Sequence, residues 1–339
     1  MSPRGGWRRE GSRGRFRYYD ARGNRITDPE TLARIEALVI PPAWRDVWIA
    51  PRPSAKLQAT GVDKAGRKQY LYHSRFREQQ EQAKFEKLIR FAERLPDLRA
   101  AMAEHMDHDE LDRERVCAVA LRLINRAWFR VGTDRYAKTS KTYGITTLRK
   151  GHVRVRGTRI AFQFRGKHKV VVRTVLADAE IADTIKELQV LPGGSRLFRY
   201  VSDDETVVPL NGKRLNEYVH QYLGEEFTAK DFRTWGGTLT AAIAFAERGP
   251  VETATEQKRV VAAVMRRVGE ELGNTPAVAR SSYVSPAVID QYLDGRTIDD
   301  FRPRRLRVVS ARDIGLDLEE QALLSLLRSW KIRQSRAAA

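Results

Sequence analysis

The apolar residues of this chain change period along its length, and that change limits what it can fold into. Across roughly 74–130, and again after Ala177, they recur at helical spacing. Between 16 and 73, and between 145 and 175, they fall in short alternating or apolar runs broken by turn residues. The pattern predicts an α+β protein: a small antiparallel sheet lobe, then a mainly helical domain with a three-stranded sheet embedded in it. With 339 residues, 42% of them apolar, there is enough chain for two domains with real cores. The expected divisions are 1–15, a mobile basic tail; 16–90, the sheet-rich lobe; and 91–339, the helical domain.

Local signals fill in this outline. Residues 16–26 read as a hairpin turning near Arg22-Gly23-Asn24. Asp28-Pro29-Glu30 opens a helix through about Val39, which Pro41-Pro42 ends. Strands are expected at 47–49, 56–61 and 68–73. In the last, Gln69, Leu71 and His73 point one way and Tyr70 and Tyr72 the other, so the two tyrosines either contact nucleic acid or pack on the lobe's helix. Ser74 caps a long polar helix, closed by Pro96, that links the lobes. Helices follow at 97–105 and 112–130, the second ending at Arg130. The runs 145–148, 152–156, 160–164 and 170–172 supply the embedded sheet, with Lys167 on a turn between the last two. After Ala177 the chain reads as helical, with a break at 191–194 and a last packing helix at 318–332.

Charge narrows the partners. The formal net charge is +19; residues 1–90 carry +10 of it and the other 249 carry +9. So basic a surface attracts polyanions, nucleic acid first among them. No apolar run approaches the ~20 residues of a membrane span. The Arg- and Gly-rich start has no apolar signal region, so the expected setting is the cytoplasm, at the nucleoid. The single cysteine, Cys117, allows no internal disulfide and sits in an apolar helical stretch, where it reads as packing. The six histidines lack metal spacing, and His105 and His108 read as solvated turn residues. There is no Gly-x4-Gly-Lys-Ser/Thr loop, no Gly-x-Gly-x-x-Gly after a strand, and no Gly-x-Ser-x-Gly elbow. Neither a metal nor a cofactor is expected.

What remains is phosphoester chemistry carried by fixed cations. Negative charge that develops on non-bridging oxygens is matched by guanidinium groups, which are planar, bidentate and always charged. A leaving alkoxide needs a proton, which a lysine near other cations can supply. A tyrosine can serve as nucleophile. Tyr283 follows Asn274 by nine residues in a stretch of small polar residues.

Here the sequence resembles a family. Phe129-Arg130-Val131-Gly132, Phe164-Arg165-Gly166-Lys167, Lys230-Asp231-Phe232-Arg233-Thr234-Trp235-Gly236, Leu272-Gly273-Asn274-Thr275 and Ser282-Tyr283 stand in the order and spacing of the type IB DNA topoisomerases, in the compact bacterial and poxvirus form. The likeness reaches into the first lobe through Ile40-Pro41-Pro42-Ala43-Trp44 and the run from Gln58 to His73. The resemblance implies a monomer acting on duplex DNA, with two lobes closing as a clamp that opens through 74–97. It implies relaxation of supercoils by a 3′-phosphotyrosyl intermediate and religation, without ATP or metal. Tyr283 would be the nucleophile. Arg130 and Arg233 would hold the non-bridging oxygens. Lys167 would be the general acid, and Asn274 would donate to a non-bridging oxygen. Gln69, Tyr70, Tyr72, Arg135 and Tyr136 would contact DNA.

Other readings stand beside this one. Asn274 after Gly273 suits a plain helix C-cap, and any one Arg or Lys in so basic a chain suits a solvated surface. Arg233 is the exception: its Phe232 and Trp235 neighbours predict burial, which is costly for a guanidinium without an anion. A tyrosine recombinase would share the nucleophile but usually carries His-x-x-Arg where this chain has Lys230-x-x-Arg233. A non-catalytic DNA-binding protein would have no reason to keep competent residues at all five positions.

Overall fold

Residues 5–12, 14–302 and 315–337 are described by the computed structural model; positions 1–4 and 13 of the expected tail lie outside them. The first elements are β1 (Trp7–Glu10), β2 (Arg17–Tyr19), α1 (Pro29–Ala37), β3 (Arg45–Ile49), β4 (Leu57–Val62) and β5 (Lys68–Tyr72). The strands form one antiparallel sheet in the order β2-β1-β3-β4-β5. Asp28 caps α1 by accepting from Thr31 N at 2.8 Å, with Pro29 in the first turn. A small core of Ile35, Ile40, Val47, Ile49 and Ala59 lies between helix and sheet.

The tail expectation fails for residues 7–10, which supply an inner strand. Trp7 and Arg9 are half-buried while Arg8 and Glu10 are exposed, and this two-residue alternation is masked by the arginine count. Trp7 packs on the small core, and Arg9 donates to Pro41 O at 3.0 Å and Trp44 O at 2.7 Å. The 16–26 hairpin is correspondingly slight: β2 pairs with β1 and returns on itself only through the Tyr19–Arg25 bridge.

The long helix α2 (Ser74–Met106) contains the division of the chain into two compact units, Met1–Lys84 and Phe85–Ala339. Pro96 does not end it. The ring removes one helical hydrogen bond, but Phe91, Ala92, Leu95, Leu98 and Met102 are all buried on either side of it. That continuous apolar face outweighs the lost bond. The next helix, α3 (Arg113–Ala127), is capped by Asp112 and stops at Trp128, whose φ of 52° turns the chain out of the helix. Arg130 therefore lies beyond the helix rather than at its end.

The second unit continues with α4 (Asp134–Thr139), β6 (Val153–Arg156), β7 (Arg159–Arg165), β8 (Val171–Ala177), α5 (Ala179–Val190), β9 (Arg199–Val201), β10 (Val207–Pro209), α6 (Gly212–Leu223), α7 (Asp231–Arg248), α8 (Ala254–Leu272), α9 (Pro276–Ser282), α10 (Pro286–Leu293) and α11 (Leu318–Ala337). The embedded sheet has the order β6-β7-β8. It buries Val153, Ile160, Phe162 and Phe164 and exposes Arg154, Arg156, Arg159, Arg165 and Arg173. Ile145–Thr147, expected as a strand, is a buried 3-10 turn. Thr147 Oγ1 accepts from Gly144 N at 3.0 Å and lies 3.1 Å from Gly144 O, the local side-chain bonding by which threonine competes with a ladder. The β9–β10 hairpin falls in a span that reads as helical.

Among the described residues no helix is long and apolar enough to cross a membrane. Cys117 is fully buried, and that burial pushes its thiol up to about 12.

His105 is not a solvated turn residue. It lies in α2 with its ring against Tyr218 and Tyr222, and Nδ1 is 2.6 Å from the buried Tyr218 hydroxyl. Burial first, and then the neighbouring His108, lower its pKa, against weaker pulls from Glu114, Glu104 and Asp112. A depressed histidine keeps its full contribution to stability above its unfolded value of about 6.5 and loses it as pH falls below. Urea midpoints measured from pH 7.5 to 5.5 should therefore drop less steeply in His105→Gln than in the parent chain; equal slopes would show that this imidazole is not penalised for charging.

Candidate active site

The site is built on the second unit around α7. Phe232 and Trp235 anchor that helix in the core, and Arg233 between them is only 4% exposed. Its Nη1 donates to Trp128 O and its Nη2 to Leu272 O at 2.7 Å, while Nε has no acceptor in hydrogen-bond geometry. Trp128 ends α3, and Leu272 is the last residue of α8 before the left-handed cap Gly273, at φ 60°. Helix C-termini carry partial negative charge on carbonyls that have no partner within the helix. Two such ends thus hold one buried cation. Burial, and then the charge of Arg130, pull the Arg233 guanidinium down to about 10, so it stays charged at neutral pH.

Arg130 follows α3 on an extended segment. Ile145 N donates to Arg130 O at 2.8 Å and Thr146 N to Val131 O at 2.9 Å. The buried 3-10 turn thus serves to fix this segment. Gly132 (φ 89°) and Gly144 make the close crossing possible: a Cβ on Gly144 would lie 2.4 Å from Arg130 O. Phe129 packs edge-on against Phe162 and Phe164 of the embedded sheet. The guanidinium donates from Nη2 to Gly273 O at 3.0 Å and to Asn274 Oδ1 at 2.7 Å, and burial lowers its pKa. Asn274 stands at the α8 terminus, its N–H on Gly269 O at 2.7 Å. It is both a helix-end residue and a partner of Arg130.

Tyr283 closes α9, which Thr275 caps with Pro276 in the first turn. Its backbone lies against α7 where that helix has no side chain. A Cβ on Gly237 would fall 2.9 Å from Tyr283 O and 3.0 Å from Tyr283 Cβ. The phenol ring centre is 5.2 Å from Arg233 Cζ. Burial is the largest influence on the phenol and raises its pKa. Arg233, by charge and polar contact, then Arg130 and Lys230, together lower it further than burial raises it, and the net position is below the ordinary tyrosine value.

Lys167 is exposed on the β7–β8 turn, beside His168 and Lys169, both at φ 62°. It shares with Arg130, Arg233, Leu272 and Gly273 the wall of a cavity of about 200 Å³. Tyr283 is not part of that wall and reaches the site through Arg233. The structure therefore brings Arg130, Arg233, Asn274 and Tyr283 into one cluster, and Lys167 lines the same cavity as the two arginines. Sequence reading did not single out Glu270 and Glu271, which also line the cavity. Nor did it single out Lys230 as a site residue, although its place three residues before Arg233 was the available signal.

Gln69, Tyr70 and Tyr72 belong to the first unit, and Arg135 and Tyr136 to α4 of the second. Gln69 donates to Asp63 Oδ2 at 2.9 Å. Tyr70 and Tyr72 are 50% and 39% exposed, so they do not pack on the lobe's helix. Their rings stack 6.2 Å apart at 14°, with Phe76 against Tyr72 and Lys68 over Tyr70. Arg135 and Tyr136 are exposed on α4. They open a stretch, 135–177, with 12 Lys and Arg and no acidic residue, a signal of polyanion contact stronger than any single residue in it.

Two family models match the chain. That of the eukaryotic DNA topoisomerase I catalytic core covers residues 73–297, and that of the bacterial DNA topoisomerase IB N-terminal domain covers 15–63. The chain is 34% identical over 291 residues to DNA topoisomerase 1B of Acanthamoeba polyphaga mimivirus, which spans 84% of this chain and 86% of the relative. It is 22% identical over 246 residues to DNA topoisomerase 1B of Vaccinia virus (strain Western Reserve), covering 72% and 75% respectively. DNA topoisomerase 1 of Rabbit fibroma virus (strain Kasza) is 23% identical over 255 residues, covering 73% and 76%.

The electrostatics of Tyr283 can be measured directly. A spectroscopic pH titration of the parent chain, minus that of Tyr283→Phe, should show one phenol ionising below the usual value of about 10. In an Arg233→Lys background, where the fixed fork is lost, the ionisation should move up. A difference titration at or above 10 would contradict the cation cluster.

Proposed function

The chain belongs to the type IB DNA topoisomerases, and we propose that it relaxes supercoiled duplex DNA through a covalent bond between Tyr283 and a DNA 3′ phosphate. Tyr283 Oη attacks the phosphorus; a phosphorus–Oη bond forms and the bond to the 5′ oxygen breaks. The phenol proton passes to solvent, which its lowered pKa favours. The leaving 5′ oxygen takes a proton from Lys167. Arg130 and Arg233 hold the non-bridging oxygens as charge builds on them, and Asn274 Nδ2 adds a donor. The freed end swivels, and attack by the 5′ hydroxyl on the phosphotyrosine restores the strand. One phosphodiester is exchanged for another, so the cycle needs neither ATP nor metal.

The observation that carries this reading is the pairing of Tyr283 with a buried, permanently charged Arg233, itself in one cavity wall with Arg130 and Lys167. All five groups come from one chain, which supports action as a monomer. An enzyme of DNA works where DNA lies, which supports the cytoplasm and its nucleoid. Gln69, Tyr70, Tyr72, Arg135 and Tyr136 are read as contacts to the duplex; the exposure of Tyr70, Tyr72, Arg135 and Tyr136 and the basic surroundings support this, while Gln69 is half-buried. Lys230 in place of a histidine, together with the relatives' names, favours this reading over a kindred tyrosine recombinase.

The chain should relax plasmid in EDTA without nucleotide, and Tyr283→Phe should abolish relaxation; a relaxing Tyr283→Phe variant would remove the mechanism. Arg130→Ala and Arg233→Ala should each slow single-turnover cleavage on the order of 10²–10³-fold. Lys167→Ala should cleave slowly on a normal strand but near the parental rate when sulfur replaces the leaving 5′ oxygen, because a thiolate needs no proton. An unrescued Lys167→Ala would deny it the role of general acid.

A further inference from the structure

We propose that Glu320, on the C-terminal helix, is a positioning residue for cleavage: it fixes the turn of α7 that presents Arg233 to Tyr283. The inference rests on the reading of Tyr283 and Arg233 given above. Helix α11 begins at Leu318, beyond the 73–297 stretch that the catalytic-core family model matches. It nonetheless sends a carboxylate into the core. Glu320 is 3% exposed, and its four acceptor positions are filled. Oε1 accepts from Arg99 Nη2 at 2.7 Å and Trp235 Nε1 at 3.0 Å; Oε2 accepts from Arg99 Nη1 at 2.8 Å and Asp317 N at 3.1 Å.

A buried ion pair is an expensive way to fill space, since apolar side chains of similar volume often stabilise as much. What it adds is direction. Here the direction is given to Trp235, fully buried and two residues past Arg233 on α7. The next two residues are Gly236 and Gly237. They must be small, because the Trp128 ring packs 2.3 Å from where a Gly236 Cβ would be and Tyr283 lies against Gly237. Glycines weaken a helix interior. The turn that carries Arg233 is thus intrinsically soft on the side facing Tyr283. The Trp235–Glu320 hydrogen bond fastens it from the other side.

The far end of α11 is tied to the helix that follows the nucleophile. Trp330 Nε1 donates to Asp290 Oδ2 at 3.2 Å, and Arg333 pairs with Asp294 at 2.9 Å. Ser285, which precedes α10, donates its N–H to Thr238 Oγ1 of α7 at 3.1 Å. One helix therefore spans both elements whose relative placement sets the distance between Arg233 and Tyr283.

The test uses the full chain as Glu320→Gln, as Trp235→Phe, which keeps the ring but loses the N–H, and as the double variant. Single-turnover cleavage of a nicked duplex, the Kd for that duplex and the Tyr283 difference titration are read for each. Cleavage should fall on the order of 10–100-fold in Glu320→Gln, as expected when a reacting group is misplaced, and several-fold in Trp235→Phe. The double variant should be no slower than Glu320→Gln, Kd should be unchanged, and the phenol should ionise at higher pH. Cleavage within twofold of the parent in Trp235→Phe overturns the proposal, and so does an unmoved phenol; Trp235→Phe alone decides the matter should Glu320→Gln not fold. Tyr283→Phe is assayed in parallel. If it cleaves, the reading of the site itself falls; if it is inert while Trp235→Phe keeps parental cleavage, only the positioning role falls.

Discussion

A guanidinium buried to 4% exposure has to be answered by something, and here the answer is two helix ends. Arg233 takes the carbonyls of Trp128 and Leu272, the last residues before α3 and α8 turn away. These partners are dipoles rather than a carboxylate. They hold the cation without neutralising it, so its charge remains available to an anion. The same arrangement brings Gly273 and Asn274 to Arg130, because the cap that exposes the Leu272 carbonyl also orients the next two residues. The second cation is thus placed by the termination of the helix that holds the first. Among the described residues no carboxylate pairs with either guanidinium, although Glu270 and Glu271 line the same cavity.

Close approach is the second constraint. Tyr283 reaches Arg233 because Gly237 lets its backbone lie against α7, and Trp128 can cap α3 there because its ring covers Gly236. Both contacts are local losses of helix stability accepted for geometry. The surrounding core offsets them: Phe91 packs on Phe227, Phe232 and Trp235, and the Arg99–Glu320 pair closes the far side. The acidity of Tyr283 follows from the same proximity, since the neighbouring cations favour the phenolate.

The family was legible because it rests on residue types whose chemistry has few substitutes, at spacings that survive without structural knowledge. Arg130, Lys167, Arg233 and Tyr283 lie in separate segments; Arg233 carried a local mark of its own in its Phe232–Trp235 context, and the others were singled out by the resemblance. The alternation in 68–72 put Tyr70 and Tyr72 on one face but left open whether that face packs; the folded chain shows both exposed. What escaped notice depends on distant partners. Trp7–Glu10 looked like a charged tail because arginines occupy both faces of the strand. Pro96 looked like a helix end because its local cost is visible in sequence and the compensating burial is not. The 318–332 stretch reads as a packing helix, but nothing in it marks Glu320; only the folded chain shows Arg99 and Trp235 converging on it from 221 and 85 residues away.

The central claim is that Tyr283, and no other tyrosine, exchanges bonds with DNA. The direct measurement is to trap the chain on a nicked duplex whose short 5′ fragment dissociates after cleavage, digest the adduct, and sequence the nucleotide-bearing peptide by mass spectrometry. The account predicts a single modified peptide containing Ser282-Tyr283-Val284, with the nucleotide joined through its 3′ phosphate to the phenol oxygen. An adduct on another residue, attachment through a 5′ phosphate, or strand cleavage with no covalent peptide at all would contradict it.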